Sequence, residues 1–363
     1  MEVLNKITTD MSKNLKGRIF ESIVEKGQEL FTVLFHDLDK VGANLAKAIP
    51  HGIEYRKMVA DIAGANNDAF LSTEDVANSI ISLNDNFSNF SEIGKDQQTE
   101  LVKLGSTLER LGVSTDDFAQ NANFLVKSLG FGTDGVTDFE DSLNKLSTVT
   151  KISMGKLNKE FLAVSKKLAA FGKDSIKIFT QMTKASKVLG IETSRMLDIS
   201  QGFDTFESAA EAAGSLNAVL GGNLINTIDL MNASLDDPLD VFKQFKTALD
   251  QSGKSVDSMT VAQKKLIAET LKMDVSELES LSRMDLEDAM SQLKGTADAT
   301  EDFEKQAKAA TPIIQKMQNI MYKFVQILEP VVGWAEEAVT WFGKLLSQGG
   351  FWGTFAKYIG VAT

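Results

Sequence analysis

Cysteine is absent from the 363 residues, histidine occurs twice and proline four times. Without thiols there is no disulfide, thiolate nucleophile, iron–sulfur cluster or cysteine-based zinc site. His36 and His51 have no second ligand at metal-binding spacing, so neither a metal centre nor histidine-dependent catalysis is expected. No H-E-x-x-H, G-x-S-x-G or G-x-x-x-x-G-K-[ST] pattern occurs. The chain therefore reads as a non-enzyme with no catalytic residues and no cofactor. Bases are outnumbered, 38 Lys and Arg against 50 Asp and Glu, and a net charge of −12 argues against gripping nucleic acid through counterion release. No run approaches the roughly 18 uninterrupted apolar residues of a membrane-spanning helix. Met1–Asp10 lacks a basic stretch followed by an apolar core, which predicts synthesis in a cytoplasm.

What is present is helical periodicity. Leu15, Ile19, Ile23, Leu30, Leu34, Leu38, Val41 and Leu45 recur at spacings of three, four and seven, one stripe of an α-helix that Pro50 ends. Thr73–Ile93, rich in Asn, Asp and Ser, reads as a polar helix capped by Thr73 and open to proteolysis. Leu111-Gly112-Val113-Ser114-Thr115 and Leu189-Gly190-Ile191-Glu192-Thr193 share one grammar: Gly takes the left-handed position after a helix, the β-branched residue packs back, and Ser or Thr caps the next helix. Leu129-Gly130 is a looser copy and Leu271-Lys272-Met273 a Gly-less one. These predict helix–turn–helix corners in an all-α chain of elongated or segmented form, with a further corner near Gly221-Gly222.

Composition suggests five segments. Residues 1–50 form an N-terminal long helix, 51–140 a polar helical segment and 141–200 Lys-rich helices. Residues 201–310 form a helical module with an acidic tail, and 311–363 apolar amphipathic helices. In the Lys-rich segment, Phe161, Val164, Leu168, Ile178, Phe179 and Met182 supply the apolar face, and lysines such as Lys159, Lys166, Lys173 and Lys177 the solvated one. No aromatics alternate with these lysines to stack bases, so specific nucleic-acid recognition is not expected. Beyond Asp274 the density of like charge favours an extended, hydrated helix. Asp236-Asp237-Pro238 reads as an N-cap before Pro at the first helical position rather than as a catalytic pair. In the last segment Trp334, Trp341, Phe342, Phe351, Trp352, Phe355 and Tyr358 form an apolar set suited to a partner, a sister chain or a membrane interface.

A more specific signal lies between Gly202 and Met284. The run Phe203-Asp204-Thr205-Phe206-Glu207-Ser208-Ala209-Ala210-Glu211-Ala212-Ala213-Gly214-Ser215-Leu216-Asn217-Ala218-Val219-Leu220-Gly221-Gly222-Asn223, followed by Ile228-Asp229-Leu230-Met231-Asn232-Ala233, resembles a block in the tail tape-measure proteins of large, contractile-tailed bacteriophages. Asp237-Pro238-Leu239-Asp240-Val241-Phe242 and the helix Val261–Ala268 extend the resemblance. It implies a structural virion protein that templates tail-tube length and leaves the tail with or before the genome. It also implies a tail-lumen location after synthesis in the host cytoplasm, tail-tube and baseplate-hub partners, and three sister copies. Contact between the C-terminal helices and the host membrane during ejection is a further implication. At about 1.5 Å per residue a continuous helix of this chain would reach about 540 Å. The competing expectation is a helical membrane-active toxin or effector whose C-terminal region inserts. Phe206, Leu216, Val219, Leu220, Val241, Phe242, Leu266 and Leu271 are the expected core of the Phe203–Met284 module.

Overall fold

The computed structural model of the chain describes residues 37–65 and 71–293. Expectations for 1–36, including most of the N-terminal helix, and for 294–363 lie outside the described residues. Among the described residues every regular element is helical and no strand occurs, so the chain is all-α. They divide into two compact units, one ending at Arg110 and the other beginning at Leu111. The five compositional segments do not map onto this division. Helix–helix packing crosses their boundaries at 140 and 200. Composition tracks the solvated faces, whereas a unit is set by continuity of its core.

The first unit contains α1 (37–48), α2 (Arg56–Ala65), α3 (Thr73–Asn86) and α4 (Lys95–Glu109). α1 stops just before Pro50, as its ring demands. The polar stretch after Ser72 is packed rather than open: α3 lies against α2 and α4, and Val76, Ile80, Leu83, Phe87 and Phe90 are buried. Its small polar residues serve the packing. Ser79 Oγ donates to Val102 O at 3.2 Å, and Gln98 Nε2 of α4 donates to Phe90 O at 3.0 Å, so both of these buried side chains have a partner. Capping also differs from expectation. Ser72, not Thr73, is the N-cap: its Oγ accepts from Asp75 N and the Asp75 carboxylate accepts from Ser72 N, both at 3.0 Å. Arg110 Nε reaches the same carboxylate at 3.1 Å.

The second unit runs through α5 (Thr115–Asn123), a π-helical turn (Phe124–Ser128), α6 (Thr133–Thr150), α7 (Met154–Leu168), α8 (Ser175–Leu189) and α9 (Thr193–Gln201). It continues with α10 (Phe206–Leu220), α11 (Thr227–Asp236), α12 (Pro238–Gln251), α13 (Val261–Thr270), α14 (Val275–Arg283) and α15 (Leu286–Gln292). Phe161 sits at its aromatic centre, with ring centroids 4.5 Å from Phe139, 5.2 Å from Phe179 and 5.9 Å from Phe124. The apolar face expected for α7 and α8 is buried, while Lys159, Lys166, Lys173 and Lys177 are exposed.

The corners form where glycine predicts them. Gly112, Gly130, Gly190 and Gly221 have φ of +80°, +71°, +72° and +88°, the left-handed region that costs side chains bearing a Cβ. Lys272 adopts φ +55° at the Gly-less corner, held by Arg195 Nη2 donating to its carbonyl at 2.7 Å. The Thr after these corners is shifted by one position from expectation. Thr133 and Thr193 are the first helical residues and are buried, with Gly132 and Glu192 at the caps. The expected cap at Thr260 forms and completes a capping box with Gln263, whereas Asp237 occupies the N-cap position before Pro238 without a side-chain cap bond.

The acidic stretch beyond Asp274 does not run as one hydrated helix. α14 and α15 are short and bury Leu278, Leu281 and Leu286, with α14 against α8, α12 and α13 and α15 against α8. Their charge is spread over exposed faces, and part is matched: Lys264 Nζ lies 3.0 Å from Glu279 Oε1, and Arg283 donates to Asp257 at 3.0 Å. That bond, followed by the guanidinium charge, holds the Asp257 carboxyl below its usual value.

Candidate functional site

The block Phe203–Asn223 is helix α10 with its flanking turns, and its residue choices have packing reasons. α10 presents Ala209, Ala212, Ala213, Leu216 and Leu220 inward, and the small alanines let it lie close on its neighbours α11 and α13. Asn217 is the organiser that sequence reading left unmarked. Its Oδ1 accepts from Leu224 N and Ile225 N at 2.8 Å each, and its Nδ2 donates to Ile225 O at 2.9 Å. One amide thereby ties down the loop that Gly221 turns, and Lys254 Nζ closes the same helix end by donating to Val219 O at 2.6 Å. The Asn217→Ala variant leaves two backbone N–H groups and a carbonyl without their partner. It should cost about 1–3 kcal/mol in chemical denaturation.

Two residues expected in this core are outside it. Phe206 is 60 % exposed at the first turn of α10, and Leu266 is exposed on α13, whose inward side is Ile267, Ala268 and Leu271. With Val261, 70 % exposed, α13 carries apolar groups on both sides.

Between α11 and α12 lies an open groove of about 770 Å³. It is lined by Asp229, Asp236, Asp237 and Asp240, with Lys243 and Glu287 at one end paired at 3.7 Å. Gln244 spans the helices, its Nε2 donating to Asp229 O at 3.1 Å and Asp240 Oδ2 at 2.8 Å. The groove contains no nucleophile with an adjacent base. Among the described residues no group of three or more His, Asp or Glu is placed to hold a metal. Asp237 and Pro238 serve as helix start, as their order implies.

A second polar cluster is sealed inside α5, α6 and α7. Asn121, Glu140 and Asn158 are 0 %, 1 % and 0 % exposed. Asn158 Nδ2 donates to Glu140 Oε2 at 3.0 Å and to Met154 O at 3.3 Å. Asn121 Nδ2 donates to Asn158 Oδ1 at 2.9 Å and to Asn158 O at 3.0 Å. Burial pushes the Glu140 carboxyl up to about 8; the Asn158 bond opposes this and the Asp141 charge adds to it. A signal for it existed in the sequence: Glu140 falls on the stripe Val136–Glu140–Leu143, a carboxylate in a line of apolar positions.

No protein-family model, curated protein or solved structure matches the chain. The aromatic residues expected to meet a partner or membrane, Trp334, Trp341, Phe342, Phe351, Trp352, Phe355 and Tyr358, lie outside the described residues. Among the described residues no helix is long and apolar enough to cross a membrane. The clusters that can be built from residue positions are therefore a folded corner, an acidic groove and a buried polar core.

Proposed function

We propose that the chain is a tail tape-measure protein of a contractile-tailed bacteriophage, a structural component around which tube subunits polymerise and which is expelled with or before the genome. The observation that carries this reading is the Phe203–Asn223 block with Ile228–Ala233 behind it. Ala209, Ala212 and Ala213 pack, Asn217 anchors and Gly221 turns the chain in the corner formed by α10 and α11. A motif built in that way is a signature of a fold element, the kind of feature that members of one family share. An excess of acid over base fits a protein that shares a lumen with DNA and must let go of it.

The folded units alter how such a protein would measure. Residues 111–293 as one straight helix would span about 270 Å, at about 1.5 Å per residue. Folded into the helices of one unit, they contribute far less length. Under this proposal the units act as folded elements inside or at the end of the tail, and length is set by other parts of the assembly's tape. Electron microscopy of tails from phage carrying an in-frame deletion of 111–293 tests it. Tails shortened by much less than about 270 Å, together with recovery of the parent chain in purified tails, are the expected result. Absence of the parent chain from tails overturns the assignment. Shortening by the full rod length overturns the folded-element role.

A further inference from the structure

We propose that Glu140 is a proton-held latch joining α5, α6 and α7, and that loss of its proton loosens these three helices. The case starts from hydrogen-bond accounting. Every amide hydrogen of Asn121 and Asn158 is already committed, two from each, to Glu140 Oε2, Met154 O, Asn158 Oδ1 and Asn158 O. Two acceptors in the cluster are left over: Glu140 Oε1 and Asn121 Oδ1 are both buried without a partner. Thr137 Oγ1, three residues before Glu140 on α6, is also buried and unpaired, so its hydroxyl reaches neither. A cluster short of donors is completed by a proton on Glu140 Oε1, which supplies one O–H to Asn121 Oδ1, directly or through one buried water.

The surroundings favour the neutral acid. No ion pair reaches Glu140 among the described residues, and α7 meets it with the neutral amide of Asn158, itself held by Asn121 of α5. The charge that acts on it is that of Asp141, adjacent on α6; neither α8 nor the π-helical turn, which also pack on α6, brings one. Asp141 is in turn opposed by Lys145 and reinforced by Asp138. Ionisation breaks the O–H bond, leaves the electron pair on the carboxylate and passes the proton to a buffer base. The product is a carboxylate in a dry core with one donor where it needs several, a costly state relieved by opening.

The sign follows from where the proton is bound. The closed state keeps it to about pH 8, while an open, hydrated Glu140 releases it near the ordinary 4.5. Between these values the closed state binds one proton more, so its advantage falls as pH rises and then levels off above about pH 8. Hydrogen exchange of the full chain, corrected for intrinsic rates, reads this directly. Opening of Thr115–Leu168 should grow about tenfold per pH unit between about pH 5 and about pH 8, and Glu140→Gln should remove that dependence. An equal pH dependence in parent and E140Q overturns the latch. Should E140Q fail to fold, infrared difference spectroscopy of the parent decides: a protonated buried carboxyl band persisting at about pH 7 is expected, and its absence overturns the proposal.

Discussion

Phe161→Ala should lower the stability of the second unit by about 3–5 kcal/mol, the largest loss expected of any single truncation among the described residues. Phe161 is fully buried and meets three other rings, Phe139, Phe179 and Phe124, contributed by α6, α8 and the π-helical turn. Removing it deletes edge-to-face contacts as well as apolar area, and the neighbouring rings cannot collapse into the space without leaving their own helices. The measurement is the denaturant midpoint of the second unit's transition. The first unit, with a separate core, provides the internal reference. A loss below about 1 kcal/mol would show that the ring cluster is not the centre of that core.

Gly155→Ala should destabilise by about 3 kcal/mol, although alanine is the better helix former by about 1 kcal/mol. Gly155 lies in the first turn of α7, and a Cβ there would fall 2.0 Å from the Gly112 carbonyl oxygen. The obstacle is backbone, which has no rotamer through which to yield, so α7 or the corner before α5 must move. Gly214→Ala on α10 is the matched control: it meets nothing within 4 Å and should stabilise by about 0.5–1 kcal/mol. Thermal melts of the two variants are expected to shift in opposite directions. A higher melting temperature for Gly155→Ala would mean that helix propensity, not the α7 contact, governs Gly155.

Much of the fold is legible in the sequence because it depends on local chemistry. The left-handed corners at Gly112, Gly190 and Gly221 follow from glycine placed after an apolar helix end. The wet and dry faces of α7 and α8 follow from period alone. Where sequence and structure part, the deciding contact is distant. Ser79 makes the Asn/Asp/Ser-rich stretch look soluble until its partner Val102 on α4 is known, and Gln98 of α4 bonds back to Phe90 in that stretch. Glu140 meets Asn158 across 18 positions and Asn121 meets Asn158 across 37, separations that a helical pattern does not encode. Phe206 is an apolar residue expected in the core, yet it stands exposed at the first position of α10. The packed α14 and α15 show that repulsion among exposed carboxylates is weaker than burial of a few leucines on the opposite face.

The π-helical turn at Phe124–Ser128, where Leu129 N bonds to Phe124 O at 3.2 Å, holds one residue more than an α-helical turn of the same rise. That surplus makes the segment a natural site of length variation. Deleting one of its residues converts the turn to ordinary α-helix and leaves Asn121 upstream in place, whereas the same deletion inside α6 rotates every later side chain about 100° out of the core. A homologue shorter by one residue would be expected to carry its gap here, and an alignment that places the gap in a neighbouring helix would be misregistered.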